Sequence, residues 1–91
     1  MTPAEHERLA LLLEEMGEAQ QVVGKILRHG WGPHTFLGIA YDNRLDLEKE
    51  LGDVWAAMIR LTAAGDIRFE SIEARADKKT NDNTYMRHQD D

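Results

Sequence analysis

The chain has 91 residues, no cysteine and a formal net charge of −6, with 42% hydrophobic residues: one domain with a modest core, no disulfide scaffold and no thiolate metal site. An acidic balance disfavours a nucleic-acid backbone as partner, since that needs a basic surface. With no apolar stretch near the ~20 residues of a bilayer span, and a polar, acidic start where a signal peptide would be basic and then apolar, the expectation is a cytoplasmic chain with no membrane partner.

Thr2 suits a helix N-cap, Pro3 the first helical position and Glu5 the capping-box position. A first helix is therefore predicted from about Pro3 to Arg28, stopped by His29 and Gly30. Gly17 and Gly24 lie inside it at about 1 kcal/mol each, which points to close approach by another helix or a ligand. The next segment, Trp31 to Tyr41, reads as a loop. It carries Trp31, Phe36 and Tyr41, more aromatics than a solvated linker would, so it packs on the helices or on a ligand. A second helix starts near Asp42 or Asn43 and ends at Ala64-Gly65. Asp66 is the expected cap of a third helix, about Ile67 to Thr80. Its apolar side is marked by Ile67, Ile72 and Ala76, with Phe69 beside them, and its last turn is basic. The tail, residues 81–91, is polar and expected to be mobile at its end. No strand pattern and no repeat is visible beyond two acidic motifs.

Those motifs are Glu14-Glu15-Met16-Gly17-Glu18 and Glu50-Leu51-Gly52-Asp53. Each holds two carboxylates three residues apart, on neighbouring turns of one helix face. On a wheel advancing about 100° per residue, with Leu9 at zero, Leu12, Leu13, Met16, Ala19, Val23 and Leu27 cluster around it. Leu11, Val22 and Ile26 widen that stripe. Glu15 falls between Val22 and Ile26, inside the apolar sector; Glu18 lies on its edge and Glu14 further out. On the second helix Leu47, Leu51, Val54, Met58 and Leu61 form the stripe. Glu50 falls between Ala57 and Leu61, and Asp53 one step outward. A buried, unpaired carboxylate costs several kcal/mol or is forced neutral. A four-carboxylate cage around a hard divalent cation resolves that cost for all the acids at once. The plainer reading is a solvated acidic face with Glu50 bonded to a lysine or arginine.

Glu-Glu-x-x-Glu followed downstream by Glu-Leu-Gly-Asp resembles the MazG-like all-α nucleoside triphosphate pyrophosphohydrolases. The segments Leu11 to Glu18 and Leu47 to Val54 carry the likeness, which covers the chain from the first helix through the third. It implies an all-α fold, a helical hairpin plus a short third helix, assembling into a multi-helix bundle by dimerisation, as a homodimer or a dimer of dimers. It implies hydrolysis of a nucleoside triphosphate to the monophosphate and pyrophosphate, with Mg2+ required and Mn2+ as a substitute. By motif position the metal ligands are Glu15, Glu18, Glu50 and Asp53, and Glu14 holds a second ion or orients water. The connection from Glu18 to Glu50 is long for the family, and the aromatic loop accounts for the excess. Lys79, Asn83, Tyr85 and Arg87 resemble the family's basic end with shifted spacing.

Further candidates follow from placement. Lys25, seven residues after Glu18, is a phosphate contact or a surface lysine, and Arg28 and His29 have a weaker claim. Asn43, seven before Glu50, caps the second helix or reads a base edge or sugar hydroxyl. Asp46 is a further ligand or a surface acid. Trp31, Phe36 and Tyr41 stack on a base or pack, and Trp55 belongs to core or subunit interface. Two other classes compete. A di-iron or di-manganese bundle needs Glu-x-x-His pairs, and no histidine here lies three residues after a glutamate. A non-enzymatic helical dimerisation module explains the amphipathic helices but not the inward acids.

Overall fold

The computed structural model describes residues 1–89. Helix α1 spans Pro3–His29, strands β1 (His34–Phe36) and β2 (Ile39–Tyr41) follow, and then come helices α2 (Asn43–Ala63) and α3 (Phe69–Thr80). Helices α1 and α2 form the expected helical hairpin. The start of α1 is built as its residues dictate: Glu5 N–H donates to Thr2 Oγ1 at 3.1 Å, and Thr2 N–H to Glu5 Oε1 at 2.8 Å. The Thr2 backbone N–H, more than any other group, holds the Glu5 carboxyl below its ordinary pKa. Gly30, at φ 84°, ends the helix and donates its N–H to Ile26 O at 2.7 Å.

Three expectations need correction. The aromatic segment is not an irregular loop: β1 and β2 pair antiparallel, with His34 opposite Tyr41 and Phe36 opposite Ile39. Leu37 and Gly38 make the two-residue turn, both at positive φ (52° and 76°). Such a turn matches the strand twist and favours glycine at its second position, but leucine seldom takes its first, which hid the signal. Second, Asp66 does not cap α3. That helix starts at Phe69 with Arg68 at the N-cap and no side-chain cap bond. Asp66 instead accepts from Arg8 Nε at 2.6 Å and Nη2 at 3.1 Å. This forked bond holds the α2–α3 turn against α1, and the Arg8 guanidinium keeps the Asp66 carboxyl below its ordinary pKa.

The third correction concerns which apolar residues pack. The buried residues of the seam are Ala19 and Val22 on α1, toward the β-hairpin, and Ala57 and Leu61 on α2, toward the opposite end, flanked by half-buried Leu12, Ile26 and Val54. Alanines let the helix axes approach, so the seam centres on the Glu15 side of the wheel rather than on Leu9. Leu9, Leu13, Met16, Val23 and Leu27 recur at spacings of three and four about 100° away, interrupted only by Gln20. They stay open, Leu13 at 70% and Leu27 at 82% exposure. On α2, Leu51 and Trp55 are open as well. The chain measures 46 × 34 × 15 Å. Its short dimension is little more than one helix diameter of about 10–12 Å, so the fold is a single layer of helices. Helix α3 buries no residue and meets α2 through an edge-on contact of Phe69 with Trp55, ring centroids 6.2 Å apart.

Among residues 81–89 the chain keeps local turns, with Lys79 Nζ 4.2 Å from the centre of the Tyr85 ring. The extreme end of the tail, expected to be mobile, lies outside the described residues. No helix of the described residues is long and apolar enough to cross a membrane.

Leu61 is only 1% exposed and fills the seam. Leu61→Ala is expected to lower unfolding free energy by about 2–4 kcal/mol, read by urea denaturation. A cost near zero would show that the seam is not the core.

Candidate metal centre

Glu15, Glu18, Glu50 and Asp53 come together, each offering a carboxylate oxygen within 4.8 Å of the others. The placement follows from helix geometry. Glu15 sits on the α1 seam one turn from Ala19, Glu50 on the α2 seam two turns from Ala57, and Glu18 and Asp53 one step round on the same side of the layer. Glu14, one residue before Glu15, is exposed and outside the group, as the wheel predicts. Asp46 is half-buried and also outside it.

The buried oxygens decide what the cluster can do. Glu15 Oε2 and Glu50 Oε2 are buried and accept no hydrogen bond. Lys49 Nζ lies 3.7 Å from Glu50 Oε1, too long for a hydrogen bond, and its side chain is 74% exposed. A cation that stays in water neutralises little of a buried charge, so this long ion pair to Glu50 Oε1 leaves the buried Glu50 Oε2 uncompensated. The charge of Glu15, then lost hydration, then Glu50 push the Glu18 carboxyl above its ordinary pKa. Four acids with oxygens within 4.8 Å of one another, two of them keeping an orphan oxygen, have the donor set of a hard divalent cation, and they can hold one.

The other predicted residues fall in three places. Lys25, Arg28, Phe36, Tyr41 and Asn43 line a cavity of about 330 Å3 between the end of α1 and the β-hairpin. It lies beyond the acids by seven residues on each helix, about 10 Å. Asn43 is not the cap of α2: Asp42 Oδ1 takes that role, accepting from Leu45 N–H at 3.1 Å. Asn43 is 1% exposed and donates Nδ2–H to Gly30 O at 3.0 Å, while its Oδ1 has no partner. Trp31 does not line the cavity; the Arg44 guanidinium covers its ring at 4.6 Å. Lys79, Asn83 and Arg87 lie at the end of α3 and beyond it, and join neither the acids nor the cavity. His34 was not singled out from the sequence. It stacks on Tyr41 at 5.3 Å and lines the cavity, and recognising the hairpin turn would have placed it there, directly opposite Tyr41.

Comparison with family models, with curated proteins and with solved structures finds no match.

The raised Glu18 pKa has a sign. In the metal-free protein the folded state holds this proton more tightly than the unfolded state. Its contribution to stability is therefore greatest below the ordinary value of 4.5 and is lost as pH rises through the raised value. Glu15→Gln removes the main cause. Its metal-free melting temperature is expected to match that of the unaltered chain in acid and to exceed it at neutral pH. Calorimetric scans across pH test this; a gap that fails to open as pH rises would mean that the acids do not repel one another in solution.

Proposed function

We propose that this chain is a Mg2+-dependent nucleoside triphosphate pyrophosphohydrolase of the MazG-like kind. The observation that carries the reading is the four-acid group with two buried, unpartnered oxygens on facing helices. The order and wording of the two motifs, and a ligand-sized cavity about two helical turns away, support it. Mn2+, another cation that suits carboxylate ligands, would serve as a substitute.

Glu15, Glu18, Glu50 and Asp53 would hold the ion, and Glu14 at the margin orients water. A divalent cation in such a site neutralises phosphate oxygens and acidifies a bound water. The chain's own work is positional. The seam packs Glu15 and Glu50 in fixed places, so that little reorganisation is left when phosphate charge arrives. Lys25 and Arg28 stand beyond the acids, in the wall of the cavity, on the part of the substrate away from the ion. Attack at the α-phosphorus, giving pyrophosphate, follows from the resemblance. Lys79, Asn83 and Arg87 would reach a substrate only in an assembly, brought there by another copy.

Assembly is part of the proposal. One layer of helices with Leu9, Leu13, Met16, Leu27, Leu51 and Trp55 open to water lacks the second layer that closes a domain core. A second copy on that face, as a homodimer or within a dimer of dimers, supplies it. The same apolar face favours the alternative reading, a non-enzymatic helical dimerisation module, which leaves the acids without a role.

Purified protein with Mg2+ and a panel of nucleoside triphosphates should release pyrophosphate and monophosphates, identified by chromatography. Glu50→Gln should keep the helices and slow turnover by about a hundredfold or more, the scale on which one charge-stabilising group acts. Activity like that of the unaltered chain would remove the assignment, and orthophosphate alone would contradict α-attack. By sedimentation, the chain should be dimeric or larger at micromolar concentration, and Leu13→Glu should weaken that association. A stable folded monomer would contradict the assembly.

A further inference from the structure

The cavity at the loop end has a chemistry opposite to the rest of this acidic chain. It is lined by Lys25 and Arg28 from α1, by His34 and Phe36 from β1, by Tyr41 from β2 and by Asn43 from α2, with no carboxylate among its lining residues. Its volume of about 330 Å3 suits a small organic ligand. His34 stacks on Tyr41 with an interplanar angle of 16°, which sets two flat rings parallel in the wall. Lys25 Nζ lies 6.0 Å from the centre of the Tyr41 ring. One wall thus offers cationic donors and another offers flat apolar surface.

Asn43 supplies the third element. Its Nδ2–H is committed to Gly30 O at 3.0 Å, which fixes the amide orientation and leaves Oδ1 as an acceptor. That Oδ1 is buried without a partner, and so is His34 Nδ1. Burying an acceptor unpaired is unfavourable, and a ligand that brings an N–H relieves it. A phosphate at this place would bring only further acceptors. A ligand edge that satisfies both sides carries a carbonyl for Lys25 or Arg28 and, next to it, an N–H for Asn43. Among nucleobases that is the lactam edge, C=O beside N–H, of uracil, thymine, guanine and hypoxanthine. Adenine and cytosine carry an amino group where the lactam has its oxygen, and a ring nitrogen without hydrogen where it has its N–H. They would set a donor against the cations and an acceptor against Oδ1.

We infer that this cavity is the base-reading pocket of the chain and that it selects lactam-edged nucleobases through Lys25, Arg28 and Asn43. The inference rests on the nucleotide reading of the acid cluster and deepens it. Lys25 lies seven residues after Glu18 and Asn43 seven before Glu50, so both sit about 10 Å from the acids toward the same end of the hairpin. A nucleotide with its phosphates at the acids points its base to that end.

The test separates base recognition from hydrolysis. Isotope-labelled protein, kept metal-free with chelator, is titrated with the 5′-monophosphates of uridine, cytidine, inosine and adenosine, following the Asn43 side-chain amide and the His34 ring by NMR. Within each pair, uridine against cytidine and inosine against adenosine, the phosphate is common, so its attraction to the cations cancels in the ratio. The lactam member should bind about fivefold or more tightly in both pairs. Lys25→Met together with Arg28→Met, both on exposed positions of α1, should reduce that ratio toward one with the fold intact. Equal affinities within the pairs, shifts confined to residues outside the cavity, or displacement by inorganic phosphate at matched concentration would overturn the inference. Triphosphate turnover with Mg2+ is measured on the same protein. Turnover with no base preference removes the pocket and leaves the hydrolase. A base preference with no turnover removes the hydrolase and leaves the pocket.

Discussion

Glu15 and Glu50 lie on the packed seam between α1 and α2, and each keeps an oxygen that is buried and unpartnered. Hydrophobic packing above and below holds them there: Ala19, Val22, Ala57 and Leu61 bring the helices together, and the acids are carried into the seam with them. The alanines matter as much as the leucine, because only short side chains let the backbones approach closely enough for acids on facing helices to share one site. Glu18 and Asp53 add their charges from the adjacent side. Repulsion inside such a group opposes the fold whenever no cation is present, and the raised Glu18 pKa is its visible sign. A helix pair with no use for these acids would gain stability by replacing them with leucine, as burial of unpaired charge is among the costliest features a small domain can carry.

The hairpin is a layer with two unlike faces. On one side of the seam stand Glu18, Asp53 and Lys25; on the other stand Leu13, Met16, Leu27, Leu51 and Trp55, open to water. The two faces follow from helical geometry. A seam about 100° wide on each helix leaves one flank to each side, and here one flank is written in acids and the other in apolar residues. The two tasks therefore do not compete for the same surface. An apolar face can be covered by another chain while the acid group stays reachable from the opposite side.

Much of this was legible in the residues, and the failures have physical reasons. The α1 cap, the extents of α1 and α2, and the inward position of Glu15 and Glu50 all follow from local rules: capping chemistry, glycine at a helix end, and the 3.6-residue period. Residue types alone did not tell which flank of the broad apolar stripe would pack. Leu9 and Ala19 both count as apolar, but small volume decides how close two helices come. The β-hairpin was missed because its turn places Leu37 at φ 52°, where leucine is uncommon. Asp66 was read as a cap because capping is local, whereas the Arg8 that claims it lies 58 residues away. Between Asp42 and Asn43 the sequence left the cap open, because both suit it by type; the Leu45 N–H bond to Asp42 Oδ1 and the Asn43–Gly30 bond distinguish them.

That bond bears on the whole site. The register of an antiparallel helix pair depends on where the first helix stops and where the second starts. Gly30 stops α1, and Asp42 starts α2. Between them, Asn43 Nδ2–H to Gly30 O and Arg44 N–H to Trp31 O tie the start of α2 to the end of α1 directly, across the neck of the β-hairpin. A slip of one residue at that neck would turn α2 by about 100° relative to the seam. Glu50 would then leave Glu15, and the four oxygens would disperse. The acids are seven residues from the neck on the α2 side, near enough for the tie to control them and far enough for a ligand to fit between. The contacts that shape the cavity are thus the same contacts that align the carboxylates. A side chain such as Asn43, buried and bonded at the base of the cavity, sets the geometry of both ends of the hairpin's working face.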